Sequence, residues 1–213
     1  MKICVSLAEA TWEACRKALE TVEFAEIRLD ITQLTRQQTE AIFSSPRSLI
    51  ATFRPSKAGD ETRLRRLESA IVSGADYVDL ESDAESEYRD HLIRCAHKEG
   101  CRIIISFHDD ARTPPRSELR RILRECRDGG ADIVKIACRV HSQVDCARLL
   151  SLYESENDLI CFGMGNRGRF TRLAALWLGA PFTYASLAVG KETAEGQIDI
   201  DTMKTILAAL PHV

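Results

Sequence analysis

Residues 102–139 read RIIISFHDDARTPPRSELRRILRECRDGGADIVKIACR, and the fold is best worked out from them. Two apolar runs, IIISFHD and IVKIACR, enclose a charge-rich segment of ordinary helical length. Strands joined through a helix are expected to lie parallel and adjacent in one sheet. Each run carries one ionisable residue: His108 ends the first and Lys135 sits inside the second. Parallel pairing brings both side chains toward one end of the sheet, an arrangement suited to acid/base chemistry beside an amine nucleophile. Each also has a plain structural reading. A histidine near a strand end is often just a hydrogen-bonded residue, and a lysine on an edge strand can keep its head in water. Against the second reading, Lys135 is flanked by Ile133, Val134, Ile136 and Ala137. Burial there would desolvate the ammonium and lower its pKa toward a usable free amine.

Outward from this stretch the pattern repeats. Eight strand-like runs, KICVSL, FAEIRLD, LIATFR, DYVDLES, RIIISFHD, IVKIACRV, DLICFGMG and FTYASL, alternate with amphipathic segments. The helices are expected at about residues 10–21, 35–45, 60–73, 85–98, 115–128, 142–156, 168–179 and 199–210. The tripeptide GAD at residues 74–76 and again at 130–132 marks a helix giving way to the next strand, and Pro114 and Pro115 start the fifth helix. Eight β-then-α units without a linker or composition shift predict a single (β/α)8 TIM barrel over residues 1–213. An open doubly wound sheet accounts less well for eight evenly spaced units.

With 213 residues, 45% hydrophobic and 29% charged, the chain can bury a substantial core. The net charge of -3 comes from 29 basic and 32 acidic residues interspersed along the chain, so nothing points to nucleic acid or a membrane surface. No apolar run is long enough for a spanning helix, and the start, MKICVSLAEATWE, does not resemble a signal peptide, which predicts a cytoplasmic protein. The eight cysteines show no CxxC pair and no zinc spacing, and are read as reduced, mostly buried residues. The expected partners are a small molecule and a second copy of the chain.

Side chains alternate along a strand. One parity is apolar and faces the helices: Ile27, Leu29, Phe53, Val78, Leu80, Phe107, Val134 and Ile136. The other faces inward: Glu26 and Arg28, Thr52 and Arg54, Asp79 and Glu81, Ser106 and His108, Lys135, and Met164. Polar groups of both signs are thus expected at the C-terminal strand ends, where barrels of this kind hold their chemistry. Two loops would complete the site. GMGNRGRFTRLAALWLG (163–179) could cradle an anion, with Arg172 one turn into a helix, although Arg172 could equally be a solvated helix residue. GKETAEGQIDID (190–201) could close over a ligand.

These motifs resemble the type I 3-dehydroquinate dehydratases: EIRLD (26–30), TFR (52–54), DLE (79–81), SFHD with His108, VKIA with Lys135, MGNRGRFTR ending in Arg172, and EGQI with Gln197, all in the family's order. The resemblance implies dehydration of 3-dehydroquinate to 3-dehydroshikimate, a step of the shikimate pathway, with no metal or organic cofactor beyond the covalent imine on Lys135. By the family's pattern His108 moves the protons, Arg172 pairs with the substrate carboxylate, and Glu26, Arg28 and Arg54 orient ring hydroxyls. Thr193 and Gln197 would reach in from the lid loop. The same resemblance suggests a homodimer.

The chain departs from the family in two places. Where a glutamate that orients the histidine is usual, RPSKAGDE puts Ala58. Glu81, or failing that Asp60, is expected to replace it, because a histidine base needs its second nitrogen held. The lid reads AEGQ instead of the commoner APGQ. Two rival readings are a class I aldolase or transaldolase, which also uses a barrel lysine, and an impaired barrel that only binds a carbocyclic acid. Arg172, and a histidine on the strand before the lysine, favour the dehydratase.

Overall fold

The computed structural model describes residues 1–55 and 59–210; Ala58 lies outside them. Among the described residues, strands β1 (Ile3–Leu7), β2 (Phe24–Arg28), β3 (Ser48–Thr52), β4 (Tyr77–Glu81), β5 (Arg102–Asp109), β6 (Ile133–Arg139), β7 (Leu159–Met164) and β8 (Thr183–Ser186) alternate with eight helices. The helices are α1 (Trp12–Leu19), α2 (Arg36–Phe43), α3 (Asp60–Val72), α4 (Ser86–Glu99), α5 (Arg116–Asp128), α6 (Gln143–Leu150), α7 (Arg169–Trp177) and α8 (Ile200–Ala209). The strands form one sheet in the order β7-β6-β5-β4-β3-β2-β1-β8, the (β/α)8 barrel topology expected from the sequence. By contacts the chain forms two compact units, residues 6–105 and residues 1–5 with 106 onward, so β1 and β5 each contribute to both.

In the unit of residues 6–105, β2 pairs parallel with β3, and β3 with β4, with Arg28 opposite Thr52 and Thr52 opposite Asp79. That register puts Glu26, Arg28, Thr52, Asp79 and Glu81 on one parity, while Ile27, Val78 and Leu80 pack on the other face and are fully buried. Helix α2 starts with a capping box: Thr35 accepts from the Gln38 N–H, and the Gln38 side chain accepts from the Thr35 N–H. Helix α3 ends in a Schellman turn. Gly74, at φ 108°, donates to Ile71 and the next N–H, of Ala75, donates to Ala70. Asp76 then joins the strands, accepting from the Leu49 N–H through its carboxylate and donating its own N–H to the Leu49 carbonyl.

In the other unit the same turn recurs after α5, where Gly130 (φ 93°) donates to Arg127 and Ala131 to Cys126. The two GAD tripeptides are therefore the same device used twice. Helix α5 buries Leu119, Ile122, Leu123 and Cys126 along one stripe. Strand β6 pairs parallel with β7, Lys135 opposite Ile160 and Arg139 opposite Met164. Between β7 and α7 the chain turns through a 3-10 segment, Asn166–Gly168. Ala185 of β8 packs with Ile198 and Met203 in a small buried cluster that seats α8.

Candidate functional site

Two clusters of polar side chains lie at strand ends, one in each unit. In residues 6–105, Glu26 accepts from the Ser6 hydroxyl at 2.6 Å and from Thr52 at 2.9 Å. Arg54 forms a two-pronged bond to Asp79, at 2.9 and 3.0 Å, and also donates to Glu81. Burial works against the charge of Arg54, but Asp79, Glu81 and Glu26 outweigh it and hold its guanidinium above the ordinary range. Arg28 makes its own two-pronged pair with Asp30, at 3.0 and 2.7 Å. Of the two carboxylates expected to stand in for a glutamate at position 58, Glu81 is buried against Arg54. Asp60, with its side chain 80% exposed, starts α3 and lies 3.9 Å from Arg63.

The second cluster contains Lys135. It is 5% exposed, which rules out the reading in which its head reaches water from an edge strand. Its Nζ lies 4.4 Å from the centroid of the buried Tyr184 ring, a cation–π contact. Tyr184 meets Phe162 edge-on, with centroids 6.2 Å apart. The far end of this aromatic wall carries a second cation: the guanidinium carbon of Arg172 sits 4.1 Å from the Phe162 centroid. Arg172 is 1% exposed, so it is not a solvated helix residue, and its Nε and Nη2 have no hydrogen-bond partner among the described residues. Burial, with Arg169 as a second cause, pulls it down to about 9, so the group remains a cation at neutral pH.

Local sequence explains the position of Arg172. Thr171 accepts from the Gly163 N–H at 2.8 Å and donates to the Gly168 carbonyl at 2.5 Å, fastening the start of α7 to β7. Gly163 and Gly168 allow the close approach, since a Cβ on Gly168 would stand 2.5 Å from the Gly163 carbonyl oxygen. His108 lies at the end of β5 and is half-buried. Gln197 is buried, with its amide oxygen accepting from the Thr193 N–H at 2.7 Å and its amide nitrogen donating to the Thr193 hydroxyl at 3.1 Å. The structure thus brings together Lys135 and Arg172 through Phe162 and Tyr184, and Thr193 with Gln197.

Sequence reasoning passed over Tyr184, Phe162 and the partners Ser6 and Asp30. A signal for the aromatics was available: Phe162 has the same strand parity as Met164, and TYAS places Tyr184 in the eighth run. No pattern in the sequence announces that Ser6 would meet Glu26, because the two are brought together only by strand packing. Among the described residues no group of His, Cys, Asp and Glu could hold a metal ion, and no helix is long and apolar enough to cross a membrane.

A profile of the type I 3-dehydroquinase family matches residues 3–212. The 3-dehydroquinate dehydratase of Thermococcus gammatolerans is 35% identical over 213 residues, which cover 97% of each chain. The crystal structure of the 3-dehydroquinate dehydratase from Aquifex aeolicus superposes with a TM-score of 0.83 at 28% identity, over 100% of both chains. A type I 3-dehydroquinate dehydratase from Clostridium difficile, carrying covalently modified comenic acid, reaches a TM-score of 0.86. Its identity is 22%, and the match spans 98% of this chain and 91% of that one, a likeness of fold.

Proposed function

The chain belongs to the type I 3-dehydroquinase family, and from that premise we propose that it dehydrates 3-dehydroquinate to 3-dehydroshikimate through an imine on Lys135. It is a hydro-lyase of the shikimate pathway and uses no external cofactor, because the covalent lysine imine supplies the electron sink. The observation that carries the site assignment is the placement of two buried side chains, Lys135 and Arg172, along one aromatic wall. The substrate presents a carboxylate and a ketone on the same ring, and Arg172 and Lys135 are a carboxylate receptor and a carbonyl nucleophile.

The chemistry then follows. The Lys135 amine adds to the C3 ketone, and the carbinolamine loses water to give an iminium. His108 takes a proton from C2, the C–H electron pair forms a C2=C3 double bond, and the C=N pair moves onto nitrogen, giving a neutral enamine. The enamine expels the C1 hydroxyl, which leaves as water after accepting a proton from His108. Hydrolysis of the conjugated iminium frees the product and restores Lys135. Net, one water is lost. Arg172 holds the carboxylate at C1, fixing which carbon faces the histidine, a two-pronged role that lysine would fill poorly.

Glu26, Arg28 and Arg54 orient ring hydroxyls, and Thr193 and Gln197 close over the substrate. Glu81 holds the second nitrogen of His108, with Asp60 as the weaker candidate. Residues 1–213 act as one catalytic domain, and the protein works in the cytoplasm as a homodimer. The family resemblance supports the dimer, and gel filtration with light scattering tests it.

Turnover is the decisive assay for the reaction. Wild-type protein given 3-dehydroquinate should generate the ultraviolet absorbance of the conjugated enone product, and Lys135→Ala should not. A protein that binds the substrate without producing the enone would be a binding barrel instead.

A further inference from the structure

The loop that bears Thr193 and Gln197 is tied to the rest of its unit by contacts that the reaction itself does not need. Arg139, the last residue of β6, pairs through Nη1 with the Glu195 carboxylate at 2.5 Å. The Gly165 N–H, just beyond β7, donates to the Glu195 backbone carbonyl at 3.1 Å. Arg169, at the start of α7, donates to the backbone carbonyl of Gln197 at 3.0 Å. The fit is close: a Cβ on Gly196 would stand 2.4 Å from the Gly165 carbonyl oxygen, and one on Gly165 would stand 3.0 Å from Nη1 of Arg139. Arg139 shares strand and parity with Lys135.

We propose that Arg139 and Glu195 are positioning residues, an ion-pair latch that seats residues 193–197 on the turn after β7 and thereby sets where Thr193 and Gln197 meet the substrate. The inference rests on the proposed dehydratase reading, which makes this loop the lid. Both partners of the pair reach solvent, so its attraction is screened by salt and small enough to release during each cycle. The latch therefore biases the loop toward its seated position without locking it.

The test compares wild type with Arg139→Gln, Glu195→Gln and the charge-swapped double variant, Arg139→Glu with Glu195→Arg. Trypsin cleavage after the exposed Lys191, followed by mass spectrometry, reads seating of the loop without reference to activity. Each single variant should be cut about two- to fivefold faster in dilute buffer. Its KM for 3-dehydroquinate should rise by a similar factor, more than kcat falls, and the swap should restore much of both. Raising sodium chloride should bring wild type toward the single variants and leave those unchanged. Single variants indistinguishable from wild type in cleavage and KM, or a wild type indifferent to salt, would overturn the latch. A wild type that does not dehydrate 3-dehydroquinate would instead overturn the reaction assignment, while the cleavage comparison would still decide the latch.

Discussion

Arg172 occupies a place that is costly for a protein to build. Two of its guanidinium nitrogens are buried with no hydrogen-bond partner among the described residues, and contact with the Phe162 face offsets only part of the lost hydration. A carboxylate on the ligand would satisfy those donors, so the cost borne without ligand becomes affinity when ligand arrives. Arg172→Met should accordingly make the ligand-free protein more stable, by about 1–3 kcal/mol, while raising KM at least tenfold. Thermal melts with and without a substrate-like carboxylate check this: wild type should gain stability from the ligand and the variant should not. At the same scale, Glu81→Gln should lower turnover and shift the pH–rate profile if Glu81 orients His108. An unchanged profile would remove Glu81 from that role. Ala58→Glu should be neutral or raise activity.

At the scale of elements, the site depends on how tightly α7 is drawn onto β7. The Gly163–Gly168 approach leaves no room for a methyl group, and the Thr171 hydroxyl bridges the same two residues. Gly168→Ala should push the start of α7 outward and move Arg172 with it. KM should rise at least tenfold, out of proportion to a destabilisation of roughly 1–3 kcal/mol, as steady-state kinetics and denaturant melts would show. An equal effect on KM from an overpacking change elsewhere, such as Gly74→Ala, would argue against this coupling. Much at this scale was legible in the sequence. Alternating parity identified the polar face of β2, β3 and β4, and the two GAD turns marked where helices end, because both features follow from local backbone geometry. The burial of Arg172 was not legible, because helical periodicity alone cannot say whether a polar residue in the first turn meets water or the β7 face. Tyr184 escaped for a related reason: its role depends on Lys135, 49 positions earlier in the chain.

For the molecule as a whole, the sequence pattern specified the fold class because eight repeated units leave few topologies, and the ordered motifs pointed to the family. The pairings Ser6–Glu26 and Arg139–Glu195 could come only from the structure, since nothing local links their partners. The cysteines conform to the sequence reading: seven are buried and Cys95 is partly exposed. Burial raises the thiols of Cys15 to about 11 and Cys138 to about 12. Reaction of the native protein with Ellman's reagent near pH 8 should therefore be fast at no more than one thiol, Cys95, and denaturation should release all eight.

The proposed reaction turns on an imine between Lys135 and the substrate. Borohydride added during turnover of 3-dehydroquinate should reduce that imine and leave a stable adduct, which peptide mass spectrometry can locate, with activity lost in step with modification. One modified peptide is expected, the one containing Lys135. His108→Ala should still form the adduct slowly, because the nucleophile survives, while turnover falls by about a hundred- to ten-thousandfold. An adduct on any other lysine, or full dehydratase activity in Lys135→Ala, would contradict the imine at Lys135.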